Sequence, residues 1–162
     1  MGVYGQTKAA GEAAVAAVPR HYIVRTSWVI GAGRNFVTTM AMLAGSETNP
    51  RVVDDQTGRL TFAGELARGI LHLIDSGAPS GVYNVTGAGP AMTWADVARR
   101  VFELTDNDAG RVTGVSTADY FRSRSEVTAP RPLNSVLDLA KIEGTGFDPR
   151  NALDSLAEYL AR

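Results

Sequence analysis

The chain has 162 residues, 44% of them hydrophobic and 20% charged, with a formal net charge of −1. That balance fits one soluble domain or part of a larger one, and gives no reason to expect nucleic acid or an anionic membrane as partner. Cysteine is absent and His21 and His72 are the two histidines, which excludes disulfides, thiolate catalysis, Cys-ligated zinc and a histidine-based metal cluster. No apolar run approaches the roughly 20 residues of a membrane span, and no signal-peptide pattern opens the chain, so a cytoplasmic protein is expected.

In chain order, "QTKAAGEAAVAAV" (6–18) is alanine-rich and predicts a helix that Pro19 ends. "HYIVRTSWVIG" (21–31) is β-branched, aromatic and largely apolar. It predicts one strand buried on both faces, as in a parallel sheet. "NFVTTMAMLAG" (35–45) predicts a helix closed by Gly45. "PRVVDDQTGRLTF" (50–62) predicts a short strand and a turn. Residues 64–77 carry apolar side chains at 66, 67, 70, 71, 73 and 74, a helical stripe expected to be core.

"GVYNVTG" (81–87) is a second apolar strand. Thr93, with Asp96 at the third position, resembles a capping box opening a helix through 105. "RVTGVS" (111–116) predicts a short strand, 122–135 a proline-bearing polar loop, and 135–144 a short helix. A last helix is expected over 147–162, with Asp148 as N-cap and Pro149 in the first turn.

This order is that of an α/β chain. Yet two strands suit a central parallel sheet, where a doubly wound fold has roughly five or more. "GAGRNF" (31–36) and "GAGPAM" (87–92) lack the third glycine of a dinucleotide-binding turn, and neither opens a βαβ unit. The chain therefore reads as the second half of a dinucleotide-binding enzyme, without the first.

Tyr4 and Lys8 are separated by four positions, so a helix places them on one face. A phenol titrates near ~10 and is a poor acid at neutral pH, but a neighbouring ammonium stabilises its anion. Such a pair can protonate a carbonyl oxygen as hydride reaches the carbon. The competing reading is a surface tyrosine beside a solvated lysine. Asp54 and Asp55 point to opposite faces if extended, which predicts a turn and not a metal site.

"YGQTKAAGE", "RTSWVIG", "NFVTTM", "VVDDQTGRLT", "GVYNVTG" and "PRPLNSVLD" follow one another in this order. Together they resemble the C-terminal half of the dTDP-4-dehydrorhamnose reductases, members of the extended short-chain dehydrogenase/reductase family. The resemblance covers nearly all of the chain. It implies the C-terminal part of an NAD(P)-binding, Rossmann-like doubly wound fold plus the substrate-binding subdomain. Residues 3–32 and 63–86 would be remnants of the Rossmann sheet layer, and 33–62 and 87–162 the substrate-binding part. The N-terminal cofactor-binding half would be absent.

By the same resemblance, Tyr4 is the catalytic proton donor to the sugar C4 oxygen. Lys8 holds the nicotinamide ribose and eases loss of the tyrosine proton. Thr26 and Ser27 end the strand beside the nicotinamide. Trp28 faces the sugar nucleotide, and Asn35 and Phe36 open the helix that approaches the diphosphate. Gln56 and Arg59 line that cleft, and Arg131 sits in a loop closing over the nucleotide. Plainer readings stand beside these: Trp28 as core, Asn35 as a helix cap, Arg59 and Arg131 as solvated charges.

The implied reaction is NADPH- or NADH-dependent reduction of dTDP-4-dehydro-L-rhamnose to dTDP-L-rhamnose, with the fragment itself inactive. An epimerase or dehydratase of the same superfamily, or a non-catalytic regulatory subunit with this fold, are the alternatives. Leu60 stands where the reductases carry a proline, which leaves that loop's shape open. An unpaired edge beside the strand at 22–30 predicts a homodimer or a strand-exchanged assembly.

Overall fold

A computed structural model describes residues 2–122 and 129–161 of the chain. Part of the proline-bearing loop, 123–128, lies outside the described residues. The first helix, α1 (Val3–Ala16), begins three residues before the alanine-rich stretch, so Tyr4 and Lys8 both lie within it. It has no apolar stripe and buries no residue.

β1 (Tyr22–Arg25) pairs in parallel with β6 (Gly81–Asn84), Tyr22 opposite Gly81 and Arg25 opposite Asn84. The strand expected over 21–31 is not continuous. At Trp28 the backbone turns left-handed, with φ 48°. The chain resumes as β2 (Val29–Ile30), which pairs with β5 (Thr61–Phe62) and not with the β1–β6 sheet. Packing explains the break. The Trp28 indole stacks on Trp94, ring centroids 3.7 Å apart, while the Trp28 carbonyl accepts from the Thr61 N–H at 3.1 Å.

α2 (Phe36–Ala44) opens on a capping box between Asn35 and Thr38 and ends at Gly45. β3 (Arg51–Val53) pairs in parallel with β8 (Thr113–Val115), and β4 (Thr57–Gly58) antiparallel with β7 (Met92–Thr93). α4 (Trp94–Leu104) has the Thr93–Asp96 capping box that its sequence announces, and buries Val97, Val101 and Phe102. α2, α4 and β3 enclose the larger core, which Leu60 and Leu156 complete. A second core gathers Leu73, Tyr83, Val85, Ile142 and Phe147 beneath α3 (Ala63–Asp75).

Three further expectations need correction. The apolar stripe of α3 is core only in part: Leu73 is fully buried and Leu66 packs on the second core, but Leu71 and Ile74 are 57% and 56% exposed. The buried line runs through Glu65, Gly69 and Leu73. Gly69 is there because a Cβ would stand 2.7 Å from Val85 Cγ1. Glu65 is tolerated because Arg68 donates to both its oxygens, at 3.0 and 2.7 Å, and the Arg150 N–H donates at 2.9 Å.

Second, the helix expected over 135–144 shrinks to α6 (Ala140–Glu143). The chain before it is held extended, since Thr57 N–H donates to Leu133 O at 2.8 Å and Ser135 N–H to Thr57 O at 2.7 Å. Third, Asp148 does not cap the last helix. α7 (Ala152–Leu160) is capped by Asn151, whose side chain accepts from Leu153 N–H at 2.8 Å. Ala88 exchanges backbone hydrogen bonds with Arg150 and Ala152, both 2.9 Å, which keeps this segment extended past Pro149.

Arg111 closes the end of α2. Its guanidinium donates to the carbonyls of Ala44 at 3.0 Å and Thr48 at 2.8 Å, and also to that of Ser46, over the Phe102 ring. These carbonyls follow the last helical turn and have no helical donors of their own. Replacing Arg111 with alanine is expected to lower stability by about 2 kcal/mol, the range for charge-assisted hydrogen bonds. A urea midpoint unchanged from wild type would contradict this.

Candidate active site

Tyr4 and Lys8 share one face of α1, with the Lys8 ammonium 5.8 Å from the centre of the Tyr4 ring. Tyr4 is 75% exposed. Neither Tyr4 Oη nor Lys8 Nζ hydrogen-bonds a described residue. Among the described residues both groups are therefore open to an outside partner. One turn further along the same face, Glu12 accepts a two-pronged ion pair from Arg25, at 2.8 and 2.5 Å. Arg25 is the last residue of β1, so the pair joins the helix to the sheet. Its donors hold the Glu12 carboxyl below the usual carboxylate range.

Thr26 and Ser27 follow directly. Thr26 is exposed. Ser27 O accepts from Thr61 Oγ1 at 2.7 Å, whereas Ser27 Oγ is buried and has no partner. Trp28 comes next. One face of its indole is covered by Trp94, and Gly58 packs against the ring as well. Much of Trp28 is therefore spent on protein packing.

Asn35 is a helix cap. Its Oδ1 accepts from Thr38 N–H at 3.1 Å, and its amide donates to Gly31 O at 2.9 Å and Tyr159 Oη at 2.8 Å. Phe36 packs on Trp94, centroids 4.6 Å apart. These two rings open a hollow of about 320 Å³ that also takes in Gln56, Arg51, Phe121 and Arg131. Arg51 and Arg131 form no hydrogen bond or ion pair with a described residue. Gln56 is 8% exposed and donates through Nε2 to Thr117 Oγ1 at 2.9 Å.

Asp55 pins the wall of this hollow. It accepts from Thr117 N–H at 2.9 Å and Thr117 Oγ1 at 2.5 Å, securing the start of α5 (Thr117–Phe121). The Thr117 hydroxyl and the backbone donors hold the Asp55 carboxyl below its usual range. Among the described residues no cluster of acidic and histidine side chains could hold a metal.

Arg59 and Arg131 are not brought together. Arg59 donates to Gly89 O at 2.8 Å and Leu137 O at 3.2 Å, and lines a separate hollow. The hollow beside Arg131 is lined by neither Tyr4 nor Lys8. Sequence reasoning missed Arg51, Trp94, Phe121 and the Glu12–Arg25 pair. For α5 a signal existed: Ser116 and Asp119 have capping-box spacing, and Ser116 Oγ accepts from Asp119 N–H at 3.1 Å.

A family model described as the RmlD substrate binding domain matches residues 1–162. A dTDP-4-dehydrorhamnose reductase of Mycolicibacterium smegmatis is 38% identical over 163 residues, covering 98% of this chain and 48% of the relative. The crystal structure of a dTDP-4-dehydrorhamnose reductase from Clostridium acetobutylicum superposes with a TM-score of 0.86 at 39% identity, covering 98% of this chain and 54% of that one. That of the Bacillus anthracis enzyme in complex with NADP gives 0.83 at 30% identity, covering 98% and 55%. The chain thus spans about half the length of the curated relatives it matches. Its fold is the α/β, Rossmann-like fold of these reductases.

The Trp28–Gly58 contact is open to test. A Cβ at Gly58 would lie 2.5 to 2.9 Å from three indole atoms of Trp28. Gly58→Ala is expected to displace the stacked pair and cost about 1–3 kcal/mol. The near-ultraviolet circular dichroism of the stacked indoles should fall. An unchanged spectrum at wild-type stability would refute the contact.

Proposed function

Because the chain belongs to the RmlD substrate-binding-domain family, we propose that it forms the sugar-nucleotide-binding part of a dTDP-4-dehydrorhamnose reductase. The reaction is reduction of dTDP-4-dehydro-L-rhamnose to dTDP-L-rhamnose, with NADPH or NADH as reductant. The observation that carries this reading is that Tyr4 Oη and Lys8 Nζ share one open face of α1 with no hydrogen-bond partner among the described residues.

A reduced nicotinamide, when bound, supplies the hydride that reaches C4 of the sugar. Tyr4 gives its proton to the C4 oxygen as negative charge develops there. Lys8 holds the ribose and steadies the phenolate left behind. The aromatic hollow of Phe36 and Trp94 takes the nucleoside, while the guanidiniums of Arg51 and Arg131, which pair with no group among the described residues, meet the diphosphate. Arg59, engaged with two carbonyls and lining a separate hollow, takes no part in this binding. The same reading places the protein in the cytoplasm. None of the described helices is long and apolar enough to cross a membrane.

Residues 1–162 contain no glycine-rich phosphate turn of the dinucleotide-binding type. By themselves they are expected to bind dTDP but to leave NADPH unoxidised in the presence of dTDP-4-dehydrorhamnose. Quenching of tryptophan fluorescence reads the binding, and Arg131→Ala should weaken it about tenfold. In a reductase that joins these residues to a cofactor-binding half, Tyr4→Phe should lower kcat at least about a hundredfold with little change in KM. Full turnover by that variant, or by the 162-residue chain alone, would overturn the reading.

Association is part of the proposal. α1 presents Val3 and Val15 to solvent, Val18 just beyond it is exposed too, and α3 presents Ile70, Leu71 and Ile74. Exposed apolar groups on neighbouring elements of a two-stranded sheet favour self-association. Light scattering at tens of micromolar should report a dimer or larger, and a clean monomer would count against it.

A further inference from the structure

α1 carries the two groups that the proposed reaction needs, yet nothing apolar fixes how it is turned. It buries no residue, and Gly2 at its start supplies no side-chain cap. A helix packed by an apolar stripe has its rotation about its own axis set by that stripe. Here the stripe is missing, so the phase must come from polar contacts.

Tyr4, Lys8 and Glu12 follow at four-residue spacing along one face. Glu12 receives both prongs of the Arg25 guanidinium, Nε at 2.8 Å and Nη2 at 2.5 Å. A bidentate fork of this kind constrains direction as well as distance. Arg25 itself does not drift. Its residue pairs with Asn84 across the parallel sheet, its carbonyl accepts from Val85 N–H at 2.9 Å, and the Asn84 amide donates to Asp138 O at 2.8 Å. The chain from Arg25 runs through Thr26 and Ser27 to Trp28 and its stack. The fork thus ties the helical face of Tyr4 and Lys8 to the same strand that leads into the aromatic hollow.

We propose that Glu12 and Arg25 are positioning residues, whose ion pair sets the rotation of α1 and so aims Tyr4 and Lys8 toward the reacting sugar and cofactor. The inference rests on the reductase reading above. Their side chains are 28% and 53% exposed, and ion pairs so placed add little to stability. Orientation, not stability, is therefore what their loss changes.

The absence of native cysteine makes a direct measurement possible. Nitroxide labels at Ala10→Cys on α1 and Asp75→Cys on α3 report the interspin distance in the 162-residue chain. The wild-type background should give a narrow distribution. Glu12→Gln, which keeps shape and loses charge, should broaden it about twofold, as should Arg25→Lys, which keeps charge and loses the fork. The exchanged pair Glu12→Arg with Arg25→Glu should narrow it again. Thermal midpoints should stay within about 2 °C of wild type, since an exposed pair contributes little. A Glu12→Gln distribution as narrow as wild type overturns the proposal.

In a reductase that carries this chain, Glu12→Gln should lower kcat about tenfold, the scale of a small misplacement, while KM for the sugar nucleotide stays put. The exchanged pair should recover most of the rate. If the wild-type reductase turns over and Glu12→Gln matches its kcat, the positioning role is wrong. If the wild-type reductase shows no turnover, the reaction assigned to the chain is wrong, and the spin-label distances alone decide whether the pair orients α1.

Discussion

At Trp28 the backbone enters the left-handed region with φ 48°, a conformation that costs a non-glycine residue about 1–3 kcal/mol unless its surroundings impose it. The surroundings do. Aromatic stacking on Trp94 at 3.7 Å contributes about 0.5–1.5 kcal/mol beyond simple burial. The Thr61 N–H bonded to the Trp28 carbonyl and the close approach of Gly58 complete the restraint. Because the chain turns here, one apolar segment serves two sheets. β1 stays beside β6, and β2 moves off to meet β5. The two cores of the molecule form on either side of that departure.

α3 spans the gap on polar terms. Its buried line includes a carboxylate, Glu65, which receives Arg68 of its own helix and the N–H of Arg150 from the segment leading into α7. Arg68 also lies over the Phe147 ring, 4.1 Å from its centre, and donates to the Asp148 carbonyl. A buried carboxylate without such donors would be costly. The network therefore fixes where the last helix begins, three residues beyond the proline that promised to start it. Part of the apolar stripe of α3 is left to solvent, and with it the surface on which association is expected.

Much of this was readable in the sequence and some was not, for reasons that differ residue by residue. Local signals held: the Asn35–Thr38 start of α2, Gly45 at its end, and the Thr93–Asp96 box all depend on side chains within a few positions of the backbone they serve. The segments at 22 and 81 pair in parallel as expected, but the burial on both faces expected of the first does not hold, since within these two strands only Ile23 and Tyr83 are buried. What failed was long-range. Nothing near Trp28 announces Trp94 as its partner, 66 positions away by their numbering. Nothing in the stripe at 66–74 says that Val85 requires a glycine at 69. Asp148 and Pro149 have the chemistry of a helix start, but Ala88 claims the backbone that follows them. In the candidate site, the face shared by Tyr4 and Lys8 was legible because it is helical geometry alone. The separation of Arg59 from Arg131 was not, because it depends on which carbonyls lie within reach of Arg59 once the loop at 133–138 has been laid against Thr57.

The two kinds of contact in this molecule suit two kinds of work. The aromatic hollow is built on packed rings and a capped helix, with Phe36, Trp94 and Gln56 each held by neighbours before any ligand arrives. Preorganised walls of that sort favour recognition of a large, rigid ligand part. The Tyr4–Lys8 pair on α1 is mounted differently, on a helix with no buried side chain and an ion pair at its third turn. A mount of low stability can be displaced at small cost and then fixed by whatever the opposing surface offers. Under the proposed function, recognition and proton donation fall to parts of different stiffness. They are linked through a single short stretch, Arg25 to Trp28, in which one end grips the helix and the other end stacks against the hollow.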